Sequence, residues 1–466
     1  MRIMTFLVLL FTVTTSYACT TWLASGRITV DGRPILHKNR DVGINDQEYH
    51  YVDNGGIPFI GQTYGNHENG EYWAGLNAVG FAIENSNSYN LERGPFRNGF
   101  GAGADDGWVQ ALALATCRTV DDFEELLDSL NEGGRTHNSN YGVIDAFGGA
   151  AMFETAGYSF TRFDADDTPD GFIVRSNYSY SGRGLNNRSN NWGPFRHDRA
   201  YDLMKEAVDN NELSVEYMFR HIVRDFCIDD YNPYEDGLVN NNVLIGKGLN
   251  RINRSTTRTV VIVQGVQNEH NPSDAIMWIM SGNQMGSIPV PLWVRAGSVP
   301  EEVDGEDGSR LCNIAIELSD YVHINNMIDT QKLINQDGTG LWDYIFPLED
   351  LIFAKTRAFV NSRRFDYDNL ETFQNSVAAQ VCDSLEAWRP FFDKTERPLR
   401  RIMPLNEPMT VLSVSSAYQL VELTKNSTQI FDMLGRRIST QQVPFLSNGV
   451  YYFVINDNIK RVLIVR

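Results

Sequence analysis

After Val13 no segment of this 466-residue chain is long and apolar enough to cross a bilayer, so nothing in it reads as a membrane-spanning helix. Positive charge is also scarce. Forty Lys and Arg stand against 59 Asp and Glu, a formal charge of -19, which argues against nucleic acid and against anionic membrane surfaces as partners. The eight histidines are scattered, with no H-E-x-x-H or C-x-x-C spacing, so the pattern predicts no metal centre. The acidic stretch DADDTPDG (Asp164 to Gly171) has the look of a calcium loop, but it reads more simply as a connection through Asp170-Gly171 between the strands YSFTRF and FIVRSN. Cysteine is sparse and odd in number: Cys19, Cys117, Cys227, Cys312 and Cys382 cannot all pair within one chain. What the chain does have is 42% apolar and 11% aromatic residues, enough for a large core.

The N-terminus explains where one cysteine sits. Met1-Arg2 followed by the uncharged run IMTFLVLLFTV (Ile3 to Val13) has the form of a signal peptide, with Ser16 and Ala18 as the small residues before a cut. Cleavage after Ala18 would make residues 1–18 a leader, the chain an exported one, and Cys19 the first residue of the mature protein. Three readings of Cys19 follow. A lipid anchor also begins on Cys, although Ser16, Tyr17 and Ala18 do not match the usual lipoprotein box. Export permits disulfides, and if Cys19 is the odd thiol the other four can pair in three ways. The third reading is chemical: an N-terminal cysteine carries its own base, because an α-amine of pKa about 7.7 to 8.0 is partly neutral near pH 7 and can take the thiol proton.

The residues after Cys19 read as two strands, Thr20 to Val30 and Arg33 to Lys38, turning at Asp31-Gly32 and bringing Lys38-Asn39-Arg40-Asp41 back beside the cysteine. A cation there would lower the thiol pKa, and a carboxylate could hold the amine.

At this point the chain resembles a family. Cys-Thr-Thr at the cut, the VDGRP turn and the KNRD segment are similar to the N-terminal-nucleophile hydrolases that act on linear amide C–N bonds: choloylglycine hydrolases, penicillin V acylases and relatives of isopenicillin N acyltransferase. The likeness continues at WAGLNAVGFAIENSNSYN (Trp73 to Asn90), NYGVIDAFGGAAMFET (Asn140 to Thr155) and FIVRSNYS (Phe172 to Ser179), and covers Cys19 to about Pro300 well. It implies an αββα sandwich, no cofactor, a small-molecule amide as substrate and a thioester intermediate. Acyl transfer and a secreted dipeptidase activity are the related alternatives, and a ligand-binding surface lipoprotein is the non-enzymatic one. Carried over by position, the resemblance makes Cys19 nucleophile and acid/base, has Asp41 orient the α-amine, and puts Lys38 where choloylglycine hydrolases have an Arg near the thiol, with Arg40 as the other candidate cation. Asn87 and Asn177 become side chains that polarise the scissile carbonyl, worth roughly 3 kcal/mol per donor in an oxyanion hole. Arg258, in NRINRSTTRTVVIVQG, falls where the family has an Arg at a strand mouth. Trp278 and Trp293 read either as pocket walls or as core.

The rest of the pattern predicts mixed α and β: helices over Trp108 to Cys117, after a Thr119/Asp122 capping box, over His197 to Val208, Val215 to Phe226, Leu311 to Leu333, Leu341 to Asn361 and Asn369 to Trp388. The expected fold is thus α+β, a four-layer αββα sandwich over 19–396, a Pro-rich basic linker over 397–408 and a small β-sandwich over 409–466. That last segment, with QIFDMLGRR, LSNGVYYFVI and KRVLIVR, resembles the sorting domain of type IX secretion cargo, which implies export machinery as a partner.

Overall fold

The computed structural model describes residues 18–392, except 66–69, 93–104, 228–243, 247–250, 268–269, 306–307, 325–326 and 362–366, together with four strands between 410 and 465. The expected leader up to residue 17 and the linker over 397–408 lie outside the described residues.

Two antiparallel sheets form the centre. Strands β1 (Ala18–Ala24), β2 (Ile35–Asp41), β3 (Glu48–Val52), β4 (Phe59–Thr63), β5 (Ala74–Asn77) and β6 (Ala82–Asn87) precede helices α1 (Asp106–Thr116) and α2 (Val120–Asn131). Strands β7 (Ser139–Ile144), β8 (Ala150–Thr155), β9 (Phe160–Asp164) and β10 (Phe172–Arg175) lead to helix α3 (Pro194–Asp209). A single α-turn, α4 (Val215–Tyr217), continues as a π turn; β11 (Leu244–Gly246), β12 (Thr257–Gln264), β13 (Ile276–Ser281) and β14 (Val290–Leu292) follow. Helix α5 (Arg310–Tyr321), strands β15 (His323–Ile324) and β16 (Met327–Asp329), and helices α6 (Thr330–Leu333), α7 (Leu341–Val360) and α8 (Leu370–Trp388) complete this part.

One sheet has the order β10-β1-β2-β12-β13-β14, the other β3-β4-β5-β6-β7-β8-β9. The two face each other where β1 and β2 meet β6 and β7. Helix α1 covers the seven-stranded sheet, and α3, α5 and α8 cover the six-stranded one, so the layers run α, β, β, α. The amphipathic α2 begins on the predicted capping box, with Asp122 N–H donating to Thr119 Oγ1 at 3.1 Å and Thr119 N–H to Asp122 Oδ2 at 3.0 Å. Its buried face, Phe123 and Leu127, packs with Phe81, Ile83, Tyr141 and Phe153 in the outer of two cores. Trp278 and Trp293 belong to the inner core, buried at 4% and 0% exposure, so the core reading of both holds.

Three expectations change. The first strand ends earlier than read and the second is shifted to Ile35–Asp41: β1 ends at Ala24, where Ser25 caps a 3-10 turn (Gly26–Ile28) by accepting from the Arg27 N–H, so the connection is longer than a two-residue hairpin. A Cβ on Gly26 would lie 2.5 Å from the Gly32 carbonyl oxygen, and Gly32 itself has φ 71°, which explains both glycines. The single helix expected over Leu311 to Leu333 breaks after Tyr321 into the β15–β16 pair before α6. None of the four buried cysteines is bridged: Cys117 follows α1, Cys227 follows the π turn, Cys382 lies on α8, and Cys312 on α5 has its Sγ donating to the Asn45 carbonyl at 3.0 Å. The Asp164–Gly171 segment folds as read, a 3-10 turn (Ala165–Asp167) joining β9 to β10.

At the C-terminal end β17 (Thr410–Ser413), β18 (Gln429–Asp432), β19 (Gly449–Ile455) and β20 (Asn458–Val465) form one sheet in the order β17-β20-β19-β18, with β17 parallel to β20.

Candidate active site

The register of β1 against β2 pairs Cys19 with Arg40, Thr21 with Lys38 and Ala18 with Asp41. Paired residues share a face and neighbours alternate, so Cys19, Lys38 and Arg40 stand on one side of the sheet and Asp41 on the other. Cys19 is half-buried at the wall of a cleft of about 220 Å³. Lys38, Arg40 and Asp41 line it with Cys19, as do Trp73, Asn85, Asn87, Asp105, Asp106 and His137.

Lys38 is buried, and its Nζ donates to Asn85 Oδ1 at 2.5 Å and to the Trp73 carbonyl at 2.7 Å. Burial lowers its pKa, opposed by the charges of Cys19 and Glu84. Arg40 donates to Gln47 Oε1 at 2.7 Å and lies over the Trp73 ring at 4.4 Å. Of the two candidate cations, Lys38 is the one whose charge acts most strongly on the thiol. The thiol pKa is nevertheless raised: burial pushes it up, Lys38 pulls it down, Asp41 pushes it up and Arg40 pulls it down. Such a thiol stays protonated near neutrality and needs a base beside it.

The Cys19 nitrogen, in this structure the peptide nitrogen of the Ala18–Cys19 bond, is also held. Cys19 N–H donates to Asn177 Oδ1 at 3.2 Å, and Asn177 Nδ2 donates to the Asn87 carbonyl at 3.0 Å. Asn177 therefore meets Cys19 through its oxygen, at the nitrogen, while the Asn87 side chain lines the cleft. Asp41 does not reach that nitrogen through a hydrogen bond; its Oδ2 accepts from Arg254 Nη1 at 2.7 Å and its Oδ1 from Thr257 Oγ1 at 2.6 Å. Arg258 lies outside the group. The β12–β2 register shifts between Thr257 and Thr259, and Arg258 Nε turns to Asn45 Oδ1 at 2.7 Å.

Several residues of the site carry no motif signal. Arg254 sits four positions before Arg258 in the same stretch, and only the bulge distinguishes the two. Glu84, buried at 1%, faces Lys38, Thr21 and the Gly142 N–H, and burial holds its carboxyl well above the usual carboxylate range. At the cleft rim Asp105, Asp106 and His137 bring three ligand atoms within 4.8 Å of one another, the chemistry that could hold a cation. They are engaged with each other and with Asn85: His137 Nδ1 lies 3.2 Å from Asp105 Oδ2, and Asn85 Nδ2 donates to Asp106 Oδ2 at 2.7 Å. The Asp105 hydrogen bond raises His137 to about 9, while burial and the Asp105 charge raise Asp106 to about 6.

No family model matches the chain, and no curated protein does. Among solved structures the chain is similar to the conjugated bile acid hydrolase of Clostridium perfringens, with a TM-score of 0.38 and 13% identity over 59% of this chain and 92% of that one. It is also similar to the Caenorhabditis elegans ortholog of N-acylethanolamine-hydrolyzing acid amidase (TM-score 0.36, 12% identity, 55% of this chain and 96% of that one). A third is the penicillin V acylase of Agrobacterium tumefaciens (0.35, 12%, 59% and 85%). Likeness at this level says nothing about what this chain does, and the functional reading stands on the residues around Cys19.

Proposed function

We propose that the chain is an exported amidohydrolase in which Cys19, freed by cleavage after Ala18, acts as an N-terminal nucleophile on linear amide C–N bonds. One observation carries the reading: Cys19 lines a cleft together with Lys38 and Arg40, and its nitrogen is held by Asn177 Oδ1. The neutral α-amine takes the thiol proton, and sulfur attacks the amide carbonyl to give a tetrahedral oxyanion. Asn87, which lines the same cleft, is a donor for that oxyanion. The α-ammonium returns its proton to the departing amine as the C–N bond breaks, leaving a thioester. Water, deprotonated by the same amine, then releases the acid and restores the thiol. Lys38 attracts the developing thiolate.

The cleft supports a substrate class as well. Its walls carry Lys38, Arg40, Asp41, Glu71, Asp105 and Asp106 within about 220 Å³, which suits a compact polar amide better than a long acyl chain. The C-terminal strands serve export in this reading, delivering the protein to the cell surface or the medium.

The test is the N-terminal peptide of the exported protein, weighed before and after exposure to a panel of small amides and their thiol-reactive analogues. A peptide starting at Cys19 with a free amine, and an acyl adduct on it that Cys19→Ala abolishes, is the expected result. A start elsewhere, or a lipid on Cys19, sinks the proposal.

A further inference from the structure

Arg196 belongs to none of the motifs above, yet it touches the nucleophile directly. It is the third residue of α3, and its guanidinium is 2% exposed against β1. Nη1 donates to the Cys19 carbonyl at 2.5 Å and to Thr20 Oγ1 at 2.6 Å, and Nη2 donates to Asn177 Oδ1 at 2.7 Å. That Oδ1 is the atom that accepts the Cys19 N–H. One guanidinium thus brackets Cys19 from its carbonyl and, through Asn177, from its nitrogen. The backbone is built to admit it: a Cβ on Gly193 would lie 2.2 Å from Arg196 Nη2, and Gly193 has φ 74°.

The surrounding charges give this contact an electrostatic role. From β2 the nucleophile faces Lys38, Arg40 and Asp41; from the turn before β12 comes Arg254, and from α3 Arg196. Glu84 on β6 and Asp106 on α1 lie beyond Lys38, and Tyr89 faces Arg196. Both Asp41 oxygens are engaged, one by the Arg254 guanidinium, so the carboxylate that faces Arg196 is already matched by a cation. Burial, and after it the Arg254 charge, lower Arg196 itself to about 10.

We infer that Arg196 is a positioning residue for the nucleophile's own base: it fixes Asn177 Oδ1 as the acceptor for the Cys19 nitrogen, and its charge keeps the α-amine of the mature chain unprotonated. The inference rests on the reading of Cys19 as an N-terminal nucleophile. An ammonium beside a fixed guanidinium is disfavoured, so the amine stays able to accept the thiol proton at lower pH, and once protonated it is a stronger acid toward the leaving amine.

The experiment needs no substrate. Cyanate carbamylates the neutral amine and also the thiolate, so N-carbamylation is told from S-carbamylation by fragmentation. The rate of N-carbamylation on the Cys19 peptide of the mature full-length protein, corrected for the isocyanic acid present at each pH and measured from pH 5 to 9, reports the protonation midpoint of that amine. The expected midpoint lies below the ordinary range of about 7.7 to 8.0. Arg196→Met moves it up by about one unit, and Arg196→Lys, which keeps the charge, leaves it low. A wild-type midpoint at or above the ordinary range, or one that Arg196→Met does not move, overturns the inference. If Arg196→Met does not fold, the wild-type midpoint and Arg196→Lys decide. A peptide that does not begin at Cys19 overturns the proposed function and this inference together; a free Cys19 amine with an ordinary midpoint overturns the inference alone.

Discussion

Two buried cation–carboxylate pairs in this protein are treated in opposite ways. Arg175 Nε donates to Glu154 Oε1 at 2.7 Å, and the remaining capacity of Glu154 is filled by the N–H groups of Tyr180 at 2.7 Å and Ser181 at 2.6 Å. The Arg175 guanidinium also lies 4.1 Å from the centre of the Tyr180 ring. Lys38 and Glu84 are as deeply buried, but they form no ion pair with each other: Glu84 faces the Gly142 N–H and Thr21, and Lys38 donates to Asn85 and Trp73. The first pair is satisfied and structural. The second is left electrostatically soft, with both pKa values driven toward the neutral forms, and it adjoins the Cys19 thiol. The absence of a direct ion pair marks the site, since a group whose protonation can shift is useful where protons move.

The sharpest way to break this contrast is Glu154→Ala. It strands a buried guanidinium, and the expected loss is about 3 to 5 kcal/mol of unfolding free energy, read by urea denaturation. A loss under about 1 kcal/mol would remove the distinction between the pairs.

Lys38→Met acts on chemistry instead. Its charge is the leading influence that lowers the thiol pKa, so iodoacetamide alkylation of Cys19 at pH 7.5 should slow by about tenfold, with the protein still folded. An unchanged rate would assign the cation role to Arg40.

Glu84→Gln is expected to alter stability by less than about 1 kcal/mol at pH 5, because the carboxyl it replaces is already neutral there. The pH slope carries the sign. Between the unfolded Glu value of about 4.3 and the raised folded value, the unfolded chain releases a proton that the folded one keeps, so wild-type stability falls as pH rises. The variant lacks that fall and should gain on wild type between pH 5 and pH 8; parallel curves in urea would contradict a neutral Glu84.

The smallest effect belongs to the rim. Asp105→Asn removes the hydrogen bond that holds His137 at about 9, and NMR titration of the imidazole should show its pKa falling toward about 6.5. His137 is half-exposed, so little change in global stability accompanies it.

Much of the architecture was readable in advance because its signals are local. The capping box at Thr119 and the helices around α1, α3, α7 and α8 follow from caps and periodicity. The broken helix after Tyr321 and the 3-10 turn after Ser25 did not follow, because tertiary pairing and a single cap outweighed the period there. Sequence singled out Cys19, Lys38, Asp41, Asn87 and Asn177, each in a motif near a strand end, but not the partners that Asp41 and Asn177 take.

Sequence by itself determined the composition of the cores, the strand carrying Cys19 and the charges that follow it on the next strand, because these depend on neighbours a few residues apart. Only the tertiary structure decided that Arg254 and not Arg258 reaches Asp41, that Asn177 presents its oxygen to Cys19, and that Arg196 clasps both. Those choices turn on one bulge in β12 and on contacts spanning 158 and 177 residues, for which the chain has no local signal.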